Sequence, residues 1–217
     1  MSLAKEVIAD AVRKAIELGK GRRFKQSIEL IVVLPGINPK SPEGRFRETV
    51  TLPHGLGKDV KILVVASGDT LLKAREAGVD AITLDDLKAM NKRQIKKLAR
   101  TYDWVLVRAD LMGHVGRILG PALGPRGKAP VVVPINADIK AFIERYKRSI
   151  RLRNKEQPWV GCRVGTEDMD PEKLAENIMT VLDAIKNKVK RELESFAEIY
   201  VKTTMGPSVE VLPPPKR

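Results

Sequence analysis

The sequence predicts a split α+β domain of two layers, into which a three-layer, Rossmann-like α/β domain is inserted. Three observations carry this. The middle of the chain alternates strand-like and helix-like segments, starting with the nearly all-apolar Val60–Ala66, which suits a parallel strand buried on both faces. Both flanks instead alternate polar and apolar residues at period two, as antiparallel strands with one covered face do. Two short segments, Gly55–Lys58 and Ser149–Asn154, can carry the chain into the insert and back. The expected division is 1–55 with 149–217 for the split domain and 56–148 for the insert. Two crossings at one place permit a hinge, because few torsions need change to reorient the domains.

Each element has its own signal. Residues 3–18 read as a helix with Leu3, Val7, Ala11, Ala15 and Leu18 on one face, Ser2 as cap and Gly19 as stop. Ser27–Leu34 is a strand with Ile28, Leu30, Val32 and Leu34 to one side. Pro35–Arg45 is a loop, and Arg47–Leu52 a second strand. In the insert, Asp69–Ala77 is a helix ended by Gly78, and Val79–Leu84 a strand. Asp85–Arg100 is helical, with a recapping signal at Asn91. Asp103–Val107 is a strand, Asp110–Leu119 a helix, Val131–Val133 a strand and Asp138–Arg148 a helix. Beyond the insert, Ile150–Arg153 and Trp159–Val164 are strands. Pro171–Phe196 is a long helix with Pro171 in its first turn after Asp170. Glu198–Lys202 and Val209–Leu212 are strands around the turn Thr203–Ser208.

Composition narrows the function. The 217 residues can bury a sizeable core, and 43% hydrophobic content is that of a globular protein. No apolar run reaches the roughly 18 residues of a membrane span. The start reads as an amphipathic helix and not as a signal peptide. The single Cys162 excludes an internal disulfide and fits a reducing cytoplasm. The net charge is +13, from 40 basic and 27 acidic residues, and such self-repulsion is best explained by a polyanionic partner. Aromatic content is 4%, too sparse for bases stacked on exposed rings, so folded RNA read by shape, phosphates and 2′-hydroxyls is favoured over single strands.

Catalytic signals are missing. His54 and His114 lie in Gly-containing turns, Cys162 has no His or acidic partner by motif, and no Cys/His/Asp set has metal-ligand spacing. Neither a catalytic residue, a metal nor a cofactor is expected. Gly120–Pro130, with three glycines and three prolines, fails as a phosphate loop: Gly127-Lys128 is followed by Ala129, and Ala122 stands where the first Gly is needed. The first strand of the insert ends in Ala66-Ser67-Gly68-Asp69, which is no dinucleotide fingerprint. The segment is expected to be a stiff loop projecting Arg126 and Lys128 toward RNA or toward the other domain. A structural loop over the sheet is nearly as good a reading.

Three basic regions remain. Arg22-Arg23-Phe24-Lys25 precedes the first strand; the bland reading is a solvated turn with Phe24 pinned to the core. Lys140–Lys155 holds seven cations and one acid, Glu144, and Arg151, Arg153 and Lys155 would project to one side of a strand at period two, beside the Thr203–Ser208 turn. The helix bearing Lys88, Lys92, Arg93, Lys96, Lys97 and Arg100 is the densest, with solvent exposure preferred over a secondary contact with RNA.

The turn itself, Thr203-Thr204-Met205-Gly206-Pro207-Ser208, offers hydroxyls, amides and an apolar surface with no charge. It resembles the Thr-Met-Gly-Pro-Ser signature of the L-one family of large-subunit ribosomal proteins. Ile118–Pro130 is similar to that family's Gly-Pro-Arg-Gly loop, although Lys128-Ala129 replaces the usual Leu-Met. Leu52-Pro53-His54-Gly55-Leu56-Gly57-Lys58 is similar to its first interdomain crossing. The spellings suit the archaeal branch. The resemblance implies a two-domain ribosomal protein, cytoplasmic on the ribosome, monomeric when free. It implies docking on large-subunit ribosomal RNA at the mobile side stalk, where deacylated tRNA leaves. It also implies candidate repression of its own mRNA. The RNA-binding residues it implies are Arg23, Phe24, Ser27, Glu29, Arg151, Arg153, Lys155, Gly165, Thr203, Thr204, Met205, Gly206 and Ser208. Ser27 keeps the hydroxyl of the Thr found in many relatives. Glu29 would accept from a 2′-hydroxyl or base amine, or orient an Arg. The alternatives are an α/β enzyme using a nucleotide or phosphorylated substrate, separable by nucleotide in a thermal-shift assay, and a ribosome-assembly factor of the same fold. Such factors usually carry long basic extensions, whereas this chain ends in Pro213-Pro214-Pro215-Lys216-Arg217.

Overall fold

The computed structural model describes residues 4–212, so Ser2, Leu3 and the tail 213–217 lie outside the described residues. In chain order the elements are α1 (Lys5–Gly19), β1 (Ser27–Val33), β2 (Arg47–Thr51), β3 (Ile62–Val65), α2 (Asp69–Glu76), β4 (Asp80–Ile82) and α3 (Leu84–Ala89). There follow α4 (Lys92–Thr101), β5 (Trp104–Arg108), α5 (Met112–Leu123), β6 (Val131–Val133) and α6 (Ile139–Lys147). The last are β7 (Ser149–Arg153), β8 (Trp159–Thr166), α7 (Pro171–Val189), β9 (Glu198–Thr203) and β10 (Val209–Leu212). The chain divides into two compact units, 1–58 with 148–217 and 59–147. Among the described residues no helix is long and apolar enough to cross a membrane.

The first unit holds an antiparallel sheet in the order β10-β9-β1-β8, and a separate antiparallel pair, β2 with β7. On β1, Ile28, Leu30 and Val32 are buried while the residues between them are half-buried. Helices α1 and α7 supply Ile8, Val12, Leu174, Ile178 and Val181 to the core. On α1 the buried stripe is Ile8, Ala9, Ala11, Val12, Ala15 and Gly19, whereas Val7 and Leu18 are exposed. The expected face was rotated. A helix turns 3.6 residues at a time, and the stripe through Ile8 and Val12 buries more apolar volume than one through Val7 and Leu18. Gly19 is the last residue of the helix, where the stop was expected. There its missing side chain matters, because a Cβ would lie 2.2 Å from Thr203 Oγ1.

Helix α7 is capped by the Asp170 side chain, which accepts from the Glu172 amide, with Pro171 in the first turn. It ends at Val189, short of the expected Phe196, because Lys190 takes a left-handed backbone (φ 56°) and closes the helix. Its buried Asn177 is fully engaged. Nδ2 donates to Gly55 O at 2.9 Å and Val164 O at 2.8 Å, and Oδ1 accepts from the His54 amide at 3.1 Å. The Pro53–Gly55 segment is thereby tied to α7. Beside it, Lys5 and then His54 bond to Glu176 and hold its carboxyl well below the usual range, at about 2.

The second unit is a parallel sheet in the order β4-β3-β5-β6. Alternate residues of β3 and β5 feed opposite faces. Ile62, Val64, Trp104 and Leu106 pack with α2 and α6; Leu63, Val65, Val105 and Val107 pack with α3, α4 and α5. The protein is thus mixed α/β with a parallel sheet. Strand β4 is shorter than expected, since Thr83 leaves it to cap α3, with its side chain accepting from the Asp86 amide. The recapping at Asn91 is present: Asn91 and Gln94 exchange bonds of 2.8 and 2.9 Å, and α4 begins anew.

The Gly120–Pro130 segment departs most from expectation. Helix α5 runs on through Pro121 to Leu123, a single 3-10 turn covers Gly124–Arg126, and Gly127 closes it with φ 68°. The segment is mostly helical because Leu119, Ala122 and Leu123 are buried against the sheet at helical spacing. Neither cation projects freely. Arg126 donates to Ala122 O at 2.8 Å. Lys128 Nζ donates to the carbonyls of Ala99 (3.2 Å) and Tyr102 (2.6 Å), so it caps the end of α4.

Candidate nucleic-acid interface

The candidate surface is one end of the first unit's sheet. Three strand ends meet there, because Ser27 pairs with Thr166 and Ile28 pairs with Thr203. The β9–β10 turn is bonded to the start of β1. Thr204 N–H donates to Ser27 O at 3.1 Å, and Ser27 N–H donates to Thr204 Oγ1 at 3.2 Å. Gln26, buried and missed by sequence reasoning, joins the parts. Its Oε1 accepts from Met205 N–H at 3.0 Å, and its Nε2 donates to Gly19 O at 2.8 Å and Glu167 Oε2 at 3.0 Å. Nothing in the sequence distinguishes Gln26 from a solvated residue. Asn177 did leave a signal, as a polar residue on the apolar spacing Leu174, Ile178, Val181.

These bonds correct the expectation of available amides in the turn. The Thr204, Met205 and Gly206 amides all donate within the protein, the last to Thr203 O at 3.2 Å. Thr203 is completely buried, and among the described residues its hydroxyl has no hydrogen-bond partner. It is wedged between Gly19 and Gly206, since a Cβ on either would lie 2.2 Å from Thr203 Oγ1. Gly165 is also a packing residue: a Cβ there would lie 2.3 Å from Leu174 Cδ2 and 2.8 Å from Met169 Sδ. What faces outward is Thr204, whose hydroxyl bonds back to Ser27, together with Met205 (56% exposed), Ser208, and Phe24 (52% exposed). Phe24 is therefore not pinned to the core.

Charge surrounds this neutral centre. Lys20, Arg22 and Arg23 are exposed beside Phe24. Lys25 donates to Gly57 O at 3.2 Å and pairs with Asp168 at 2.5 Å, which with the Thr166 hydroxyl lowers the Asp168 pKa. Lys202 donates to Thr204 O at 3.1 Å. Glu29 stands on the sheet face opposite the helices, across from Lys202 on one side and Arg163 on the other. The carboxylate is thus flanked by cations through register, which suits orienting them.

The second basic group is elsewhere. Lys155 lies in the loop before Trp159, and Trp159 pairs with Val33 at the far end of β1. Seven residues of β1 separate the two ends, about 20 Å at about 3.3 Å per residue. Arg153 pairs with Arg47 at the end of β7, and Arg151 is half-buried across from Thr49. Strand β7 stops at Arg153, so the period-two stripe does not reach Lys155, and these cations do not adjoin the Thr203–Ser208 turn. Sequence proximity to β8 misled, because β8 runs the length of the sheet between them. Burial meanwhile pushes the Cys162 thiol up to about 12, which suits no nucleophile. Among the described residues no group of three or more His, Cys, Asp or Glu could hold a metal ion.

These features define a class: a strongly basic, mixed α/β protein with a neutral, hydroxyl-bearing turn set among cations at the end of an antiparallel sheet. The chain belongs to the Ribosomal protein L1p/L10e family, whose model matches residues 13–207. It is 57% identical to the large ribosomal subunit protein uL1 of Aeropyrum pernix over 206 residues, covering 94% of each chain. It is 54% identical to that of Staphylothermus marinus over 210 residues, covering 96% of this chain and 98% of the relative. With the Archaeoglobus fulgidus protein of the same name, identity is 44% over 216 residues, covering 98% of this chain and all of the relative.

Proposed function

We propose that this protein is a constituent of the large ribosomal subunit that binds folded ribosomal RNA through the Thr203–Ser208 end of its first unit. The observation that carries the reading is full-length similarity to archaeal proteins named for that subunit. The sheet end supports it physically. A turn held by bonds to Ser27 and Gln26 presents Thr204, Met205 and Phe24 in a fixed geometry, and fixed geometry favours recognition of a folded RNA surface. Arg23, and at a longer reach Arg151, Arg153 and Lys155, would contribute phosphate attraction. In this reading the first unit is a split RNA-binding domain and the second an inserted domain. The family resemblance extends the proposal to the mobile side stalk, to release of deacylated tRNA and to repression of its own mRNA, with the protein acting on the ribosome in the cytoplasm.

The test is affinity for folded large-subunit ribosomal RNA fragments against a scrambled duplex, across a salt series. Selective binding should persist as salt rises. Met205→Asp should lower affinity for the folded fragment at least tenfold, about 1.4 kcal/mol, while the melting temperature holds. Equal affinity of wild type and variant would remove the turn from the interface.

A further inference from the structure

The second unit carries a surface that the first unit's RNA site does not explain. Helix α4 reads Lys92-Arg93-Gln94-Ile95-Lys96-Lys97-Leu98-Ala99-Arg100-Thr101 and contains no acidic residue. Leu98 and Ala99 are buried against the sheet and Ile95 is half-buried, while Lys92, Arg93, Lys96, Lys97 and Arg100 are all exposed. Lys92, Lys96 and Arg100 follow one i,i+4 row, with Arg93 and Lys97 on the next row, so the five make a stripe about 12 Å long at about 1.5 Å per residue. Among the described residues none of the five makes an ion pair, although Lys88 just before them pairs with Asp85 at 3.5 Å.

The unit contains its own control. On the opposite face of the same sheet, helices α2 and α6 pair their lysines: Lys73 with Asp69 at 2.6 Å, Lys140 with Glu76 at 3.1 Å, and Lys147 with Glu144 at 2.8 Å. An unpaired stripe is therefore not the general habit of this unit. It also opposes helix stability. Lys92 and Arg93 stand in the first turn, at the positive end of the helix dipole, and the i,i+4 neighbours repel. The helix is instead held from both ends, by the reciprocal Asn91–Gln94 bonds and by Lys128 on the carbonyls of Ala99 and Tyr102.

We propose that the exposed face of α4 is a second RNA-docking surface, which takes the phosphate backbone of an RNA double helix without reading its sequence. A fixed row of cations needs nothing more from its ligand than a regular row of phosphates. Stacking of single-stranded bases is disfavoured, because no aromatic residue stands on the stripe. Lying in a membrane surface is disfavoured, because the helix's apolar side already faces the sheet. An acidic protein partner would be expected to bring an apolar anchor, and the stripe offers none.

The experiment uses the full chain and a loop-free RNA duplex, with affinity measured against salt. The triple variant Lys92→Gln/Lys96→Gln/Arg100→Gln should flatten the slope of log affinity against log salt by about 2–3 units, near one per lost phosphate contact. The charge-matched triple Lys73→Gln/Lys140→Gln/Lys147→Gln should change it by less than about one unit. Gln keeps helix propensity, and a melting curve checks the fold; the single Lys96→Glu, with an expected slope change of at least about one unit, serves if the triple melts early. Equal slopes for the two triples would mean that only net charge matters, and would overturn the proposal. So would an α4 triple that keeps its duplex affinity but loses binding to phosphatidylserine vesicles or to polyglutamate.

Discussion

Thr203–Ser208 and Gly120–Pro130 look alike as sequence. Both are rich in Gly and Pro, both carry polar side chains, and both read as loops that present those side chains to a ligand. Folded, they behave oppositely. In the first, Gly206 and Gly19 close around the Thr203 side chain, the amides are bonded inward, and the uncharged Thr204, Met205 and Ser208 are left facing out. In the second, the glycines and prolines are mostly absorbed into α5 and a 3-10 turn, and Lys128 turns back onto the carbonyls at the end of α4. The difference teaches that charge on a Gly/Pro segment is a poor guide to its role. The destination of each donor decides it, because a half-buried ammonium near unsatisfied helix-end carbonyls gains more there than in water.

That contrast can be broken by three substitutions. Gly206→Ala should have the largest effect, because the new Cβ would overlap Thr203 Oγ1 and approach the Gly19 backbone at 3.2 Å, neither of which can move without shifting α1 or β9. A loss of about 3 kcal/mol in urea unfolding is expected. A loss under about 1 kcal/mol would show that the turn is loosely held. Lys128→Met should cost about 2 kcal/mol and leave affinity for folded RNA unchanged, since the ammonium serves α4. Lost RNA affinity at unchanged stability would reverse the assignment. Thr203→Val should be the mildest, neutral or stabilising by up to about 1 kcal/mol, because it replaces a buried hydroxyl that has no partner with a methyl of like shape. A clear destabilisation, read by the same unfolding curves, would mean that the hydroxyl has a partner in solution.

Legibility followed the range of the interaction. Strand β1, the recapping at Asn91 and the start of α7 at Asp170-Pro171 were readable because period two and capping chemistry act over a few residues. The site was readable where it stands on a spelling, at Thr203–Ser208. It was not readable where it depends on which way a side chain turns or which strand end lies nearby. Gln26 gave no signal, Phe24 could not be told from a core aromatic, and Arg153 and Lys155 seemed to adjoin a turn that stands at the other end of the sheet.

By itself the sequence determined that this is a strongly basic, mixed α/β protein without catalytic spacing, and that the uncharged turn resembles one family's signature. Those properties reside in composition, periodicity and short motifs, which exist before the chain folds. The tertiary structure alone decided which cations are occupied and which are open. Lys128 is drawn in by carbonyls from a helix that ends 27 residues earlier in the chain, at Thr101, whereas the five cations of α4 meet no carboxylate among the described residues. Pairing depends on distance in space, and in this chain the groups that satisfy or spare each cation are far apart in sequence.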